Sequence, residues 1–168
     1  MLKKIYLIIF FNLFFLNPSF SANKIAFIDL DLVIQKSKPG IKILNELNTI
    51  SKNNIDEIQK LQKDLENQEK SIQNKKNITT EEDHKKELSL LRNKISEYRN
   101  IKDKKSFKFN KIRNEKITAF FNKANPIIQK YMDENSLDIL LDRKNVFIGK
   151  VNSDITNDII SLIDKNYK

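Results

Sequence analysis

Between Arg99 and Lys116 the chain carries eight basic residues, Arg99, Lys102, Lys104, Lys105, Lys108, Lys111, Arg113 and Lys116, against only Asp103 and Glu115. Phe107 and Phe109 are set among them. Positive charge beside aromatic surface makes and breaks no bonds. It suits weak, sequence-tolerant holding of a flexible partner, with apolar and cation–π contacts for adhesion and charge for steering toward acidic surfaces. Arg99, Lys102, Lys104, Lys105, Phe107, Lys108, Phe109, Lys111 and Arg113 are therefore the candidate binding residues. The same stretch also reads as a solvated helix face whose phenylalanines pack on a neighbouring helix, and both readings stay open.

Reactive chemistry has little to work with. There is no cysteine, one histidine and only two glycines, Gly40 and Gly149, so disulfides, cysteine ligands and a phosphate-cradling loop are excluded. His84 reads as an exposed first-turn residue. Glu81, Glu82 and Asp83 are adjacent acids, but neighbouring helix positions point in different directions and an arm tip offers no pocket to raise a carboxyl pKa. They read as complements to a helix dipole. No enzyme, cofactor or metal site is expected.

The elements that must position the basic strip start after residue 21. Residues 1–21 hold Lys3 and Lys4, an apolar run from Ile5 to Leu16 broken only by Asn12, and then Pro18, Ser19, Phe20 and Ser21. This is the pattern of a secretory signal peptide with cleavage after Ser21, because the run falls short of the ~20 residues that span a bilayer. Two of the 31 Lys and Arg residues and none of the 22 Asp and Glu lie there, which leaves the remainder at +7.

Lys24 to Leu30 alternates in the manner of a buried strand, and Leu32 to Lys36 fits a short helical turn. Pro39-Gly40 is expected to break the chain before a long helix from Ile41. Leu44, Leu47, Ser51, Asn54, Ile58, Leu61, Leu65, Gln68 and Ile72 then recur at a 3,4 spacing. A 3.5-residue repeat keeps one narrow stripe facing a partner helix over many turns. Gln73 to Thr80 loses the pattern, and Thr79 with Glu82 has capping-box spacing. The seam resumes at Leu88, Leu91, Ile95 and Tyr98, slips in phase around Ile101 to Ile112, and recovers from Ile117 to Tyr131. Pro126 predicts a kink. Leu137 to Asp142 and Val146 to Lys150 read as a β-hairpin, and Asp154 as the cap of a last helix, Ile155 to Lys165.

The fold class expected is α+β, mainly helical: a small β-body (22–40 and 117–168) with a long antiparallel helical-hairpin arm (41–116). Three short strands and a small helix bury too little to stand alone without disulfides, so partner subunits are expected to complete the body. Ile25, Phe27, Leu137, Ile139, Leu141, Val146 and Ile148 are the expected shared core.

KIAFIDLDLVIQKSKPG, the charged helical hairpin, and LDILLDRKNVFIGKVNSDITNDIISLI, in that order, resemble the Skp or OmpH-like periplasmic chaperones. The resemblance spans the whole chain after the leader, and Pro126 departs from the family pattern. It implies a homotrimer whose β-body joins three subunits and whose arms surround a cavity that holds unfolded outer-membrane proteins without ATP, in the periplasm. The positive charge is also compatible with anionic lipid or lipopolysaccharide. Two other functions fit the residues, an envelope scaffold and a basic nucleic-acid-binding protein. Secretion argues against nucleic acid as a partner in the cell.

Overall fold

The structure, a computed structural model, describes residues 23–167. The expected leader and its expected cleavage after Ser21 lie outside them. Strand β1 (Ile25–Ile28) turns Ala26 and Ile28 into the core, both 2% exposed. Asp29 then caps helix α1 (Leu30–Lys36), its carboxylate accepting the Leu32 amide at 2.8 Å.

Ser37 ends α1 and caps helix α2 (Lys38–Lys75), its hydroxyl accepting from the Gly40 amide at 3.3 Å. The expected break at Pro39-Gly40 is therefore not a break. Proline is tolerated in a first turn, where its missing N–H would have had no partner. Gly40 is required there by packing, since a Cβ would fall 2.0 Å from the Ile34 carbonyl oxygen.

Helix α2 has 38 residues and helix α3 (Glu81–Glu134) has 54, lengths of about 57 and 81 Å. They run antiparallel as the arm. Every residue of the 3,4 series from Leu44 to Ile72 is buried or half-buried, with Leu47 and Ile72 the most enclosed. Two of its three polar members find partners across the seam: Lys94 Nζ donates to Gln68 at 2.8 Å and Lys105 Nζ to Asn54 at 3.4 Å. At the tip the cap falls one residue later than its spacing suggested. Thr80 accepts the Asp83 amide at 3.2 Å, while the Thr79 hydroxyl donates back to the Lys75 carbonyl at 2.8 Å.

The stripe on α3 does not lapse between Ile101 and Ile112. It continues through half-buried Ile101, Lys105, Phe109, Ile112 and Lys116, with lysines where leucines would be ordinary. Lys105 reaches Glu57 at 2.7 Å and Lys116 reaches Glu46 at 2.6 Å across the hairpin. What read as a phase slip is a seam closed by ion pairs.

The far end of α3 enters the body, where Phe120, Ala124 and Ile128 pack with Ala26, Ile28, Val33 and Ile34. The helix runs unbroken through Pro126. Asn122, whose carbonyl would have accepted the missing N–H, is exposed to water. A Schellman motif ends the helix: Ser136 N–H donates to the Asp133 carbonyl at 3.3 Å and Leu137 N–H to Met132 at 2.9 Å, with Ser136 at φ 53°.

Strand β2 (Ile139–Asp142) pairs parallel to β1, Ile25 opposite Ile139 and Phe27 opposite Leu141. The expected hairpin does not form. Asp142 accepts the Lys144 amide at 3.0 Å and starts a 3-10 turn, Arg143–Asn145, after which 146–150 stays irregular. The chain then crosses back to β1, where Phe27 and Asp154 form a parallel bridge and the Ile155 amide donates to the Phe27 carbonyl at 3.0 Å. On the way Gly149 lies against the Phe27 ring, and a Cβ would come 2.6 Å from a ring carbon. Helix α4 (Thr156–Asn166) follows, one residue later than expected, with Asp154 accepting the Thr156 amide at 3.0 Å. Its Ile159 and Ile163 are fully buried in the same core.

Candidate functional site

Helical spacing divides the basic strip among three surfaces of α3. Lys105 and Lys116 occupy the seam, and their charges are engaged by Glu57 and Glu46. The Lys116 ammonium, first by its hydrogen bond and then by its charge, holds the Glu46 carboxyl below the usual carboxylate range. Arg99, Lys102, Ser106, Phe109 and Arg113 recur at steps of three and four and share one flank. Lys104, Phe107, Lys108 and Lys111 lie on the outer side, where Phe107 is 74% exposed between Lys104 and Lys111 at three and four residues' distance. Lys111 is 3.9 Å from Glu115 one turn on.

On the flank of Lys102 and Phe109 the two helices leave a groove of about 310 Å³. Its apolar wall is Ile55, Ile58 and Phe109; Ser51, Asn54 and Ser106 add hydroxyl and amide groups, and Lys102 and Lys105 supply the charge. The outgoing helix's share, Ile55 above all, escaped the reading of the strip. Ile55 is 52% exposed and sits one residue outside the seam, so only the pairing register of the two helices reveals it as a groove wall.

Nearer the tip, two adjoining grooves share Gln68 and Lys94 and carry charges of both signs, with Glu87 and Lys75 in one and Asp64, Glu97 and Lys94 in the other. His84 is half-buried rather than exposed, with its Nδ1 shielded and unpartnered, and the Lys75–Glu87 pair at 3.6 Å joins the two helices nearby. Among the described residues no three His, Asp or Glu side chains are placed to hold a metal ion, and no helix is long and apolar enough to cross a membrane.

The residues expected to form a shared body core separate as well. Phe27 is 5% exposed, covered by the crossover, with the Arg143 guanidinium 5.0 Å from its ring centre. Leu137 and Val146 are half-buried. Ile25, Ile139, Leu141 and Ile148 remain exposed, as do Phe147 and Val151, which the reading of the sequence passed over.

A family model described as outer membrane protein (OmpH-like) matches residues 24–163. Among solved structures the chain is similar to a candidate outer membrane chaperone (OmpH-like) from Caulobacter crescentus CB15, with a TM-score of 0.73, 17% identity and coverage of 86% of each chain. No curated protein matches the chain.

Proposed function

Because the chain belongs to the OmpH-like outer membrane protein family, we propose that it is a periplasmic, ATP-independent holdase that shields unfolded outer-membrane proteins from aggregation. The observation that carries this reading is the arm. It offers two separate basic and aromatic surfaces, one flank with a groove beside the seam, where Ile55 and Lys102 stay exposed, and one outer face with Phe107. Such a surface can hold many sequences weakly without a fixed contact map. The chaperone name of the Caulobacter structure, which shares this fold, points the same way.

We propose further that the body works as an oligomer, a trimer as in the family, with 22–40 and 117–168 forming the body and 41–116 the arm. Ile25, Ile139, Leu141, Phe147, Ile148 and Val151 are exposed on one chain, and a neighbouring subunit would take such apolar side chains out of water. The irregular 146–150 segment and the short two-stranded sheet are what a neighbouring subunit would complete.

Gel filtration of residues 22–168 mixed with a dye-labelled, urea-unfolded outer-membrane β-barrel protein tests both parts. A complex eluting at the size of an oligomer plus one client, without ATP, is expected. A folded oligomer that retains no client would favour an envelope scaffold, and a folded monomer would remove the shared body.

A further inference from the structure

We infer that the mid-arm groove is a subsite for one large apolar side chain together with a neighbouring carboxylate, so that the arm prefers acidic-apolar segments of an unfolded chain over neutral ones. This rests on the holdase reading and adds where on the arm, and for which sequences, capture is tightest.

The groove combines an apolar wall with charge of one sign. Ile55, Ile58 and Phe109 supply carbon surface, and none of the residues lining it is acidic. Its two lysines are not equivalent. Lys105 is held in the seam by Glu57 at 2.7 Å and Asn54 at 3.4 Å, so its charge is spent within the arm. Lys102 is exposed at the rim with no ion-pair partner among the described residues; Arg99 lies one turn before it, and Arg113 one turn beyond Phe109.

A guest that places a Leu or Phe against Ile55 therefore meets an uncommitted ammonium beside it, which an Asp or Glu side chain one or two residues away would satisfy. The tip grooves differ on this point, because their rims carry acids and bases together and discriminate no sign. At about 310 Å³ the site is near the lower bound of small-molecule pockets, room for one side chain and not for a folded surface.

The test uses fluorescence anisotropy with residues 22–168 and three short, dye-labelled, unstructured peptides of one design: Leu flanked by Asp, Leu flanked by Asn, and Ser flanked by Asp. The Leu–Asp peptide should bind about fivefold tighter than either relative, the scale of one partly exposed ion pair or one partly buried side chain. Lys102→Gln should erase the preference over the Leu–Asn peptide and Ile55→Ser that over the Ser–Asp peptide, while Ile78→Ser at the tip should change neither. All three side chains are exposed, and far-UV dichroism checks that the arms stay helical. Equal binding of the three peptides, or an unchanged preference in both groove variants, overturns the subsite. That failure is separable from failure of the holdase reading, in which the wild-type chain would retain no unfolded β-barrel protein at all.

Discussion

Lys105 and Lys116 stand where a coiled coil ordinarily places leucine, and each is joined to a glutamate of the opposite helix. Partly exposed pairs of this kind contribute modestly, so their value lies in fixing register more than in holding the arm shut. Lys105→Glu should lower arm stability by about 1 kcal/mol, and adding Glu57→Lys should recover part of it, measured as a double-mutant cycle in urea. Additive losses would show that the pair does not couple. For the same reason a charge reversal meant to probe binding belongs at Lys102 or Arg99 and not at Lys105. Glu46 gives a pH dependence. Its folded pKa lies below the ordinary value of 4.5, so its contribution is present above that pH and fades as pH falls through the lowered value. The melting temperature of wild type should therefore drop more steeply on acidification than that of Glu46→Gln, and parallel pH curves would contradict this. The sequence read both lysines as part of the basic strip, and Lys105 as a binding residue, because a seam position occupied by a paired charge looks like surface until its partner is known.

At the level of elements, the 3,4 periodicity of α2 could be read directly, since every seam residue lies within one or two turns of the next. The cap at the tip was off by one because Thr79 and Thr80 both precede acids, and only backbone geometry chooses between them. The hairpin failed for a different reason. The apolar run Val146, Phe147 and Ile148 describes a segment able to be a strand, whereas its pairing depends on what lies beside it, and within one chain the crossover to Phe27 takes precedence. The groove half-emerged: the spacing of Lys102 and Phe109 places them on one flank, but Ile55 joins them only through the register between helices. The end of α3 at Asn135-Ser136 was legible, but the left-handed conformation of Ser136 was not. A residue with a Cβ is strained at φ 53°, and glycine is not. Ser136→Gly should therefore stabilise the body by roughly 0.5 to 1 kcal/mol in thermal or urea unfolding; a destabilised variant would mean that the serine hydroxyl is needed there.

The whole molecule divides its labour between a small body and an arm that outgrows it. One buried cluster unites β1, α1, the end of α3 and α4, while the arm relies on a seam one stripe wide with polar and ionic members. Such an arm has few buried side chains for each turn, so hydrogen exchange should be faster along the mid-arm than at Phe120 to Ile128, as splaying around guests of different size would require. Uniformly slow exchange along both arm helices would contradict that. The most direct test of the account is light scattering after a urea-unfolded outer-membrane β-barrel protein is diluted into buffer with residues 22–168, without ATP, over a range of salt concentrations. The account predicts that aggregation is suppressed near one oligomer per client and that suppression weakens as salt rises. A folded oligomer that leaves aggregation unchanged at every salt concentration would contradict it.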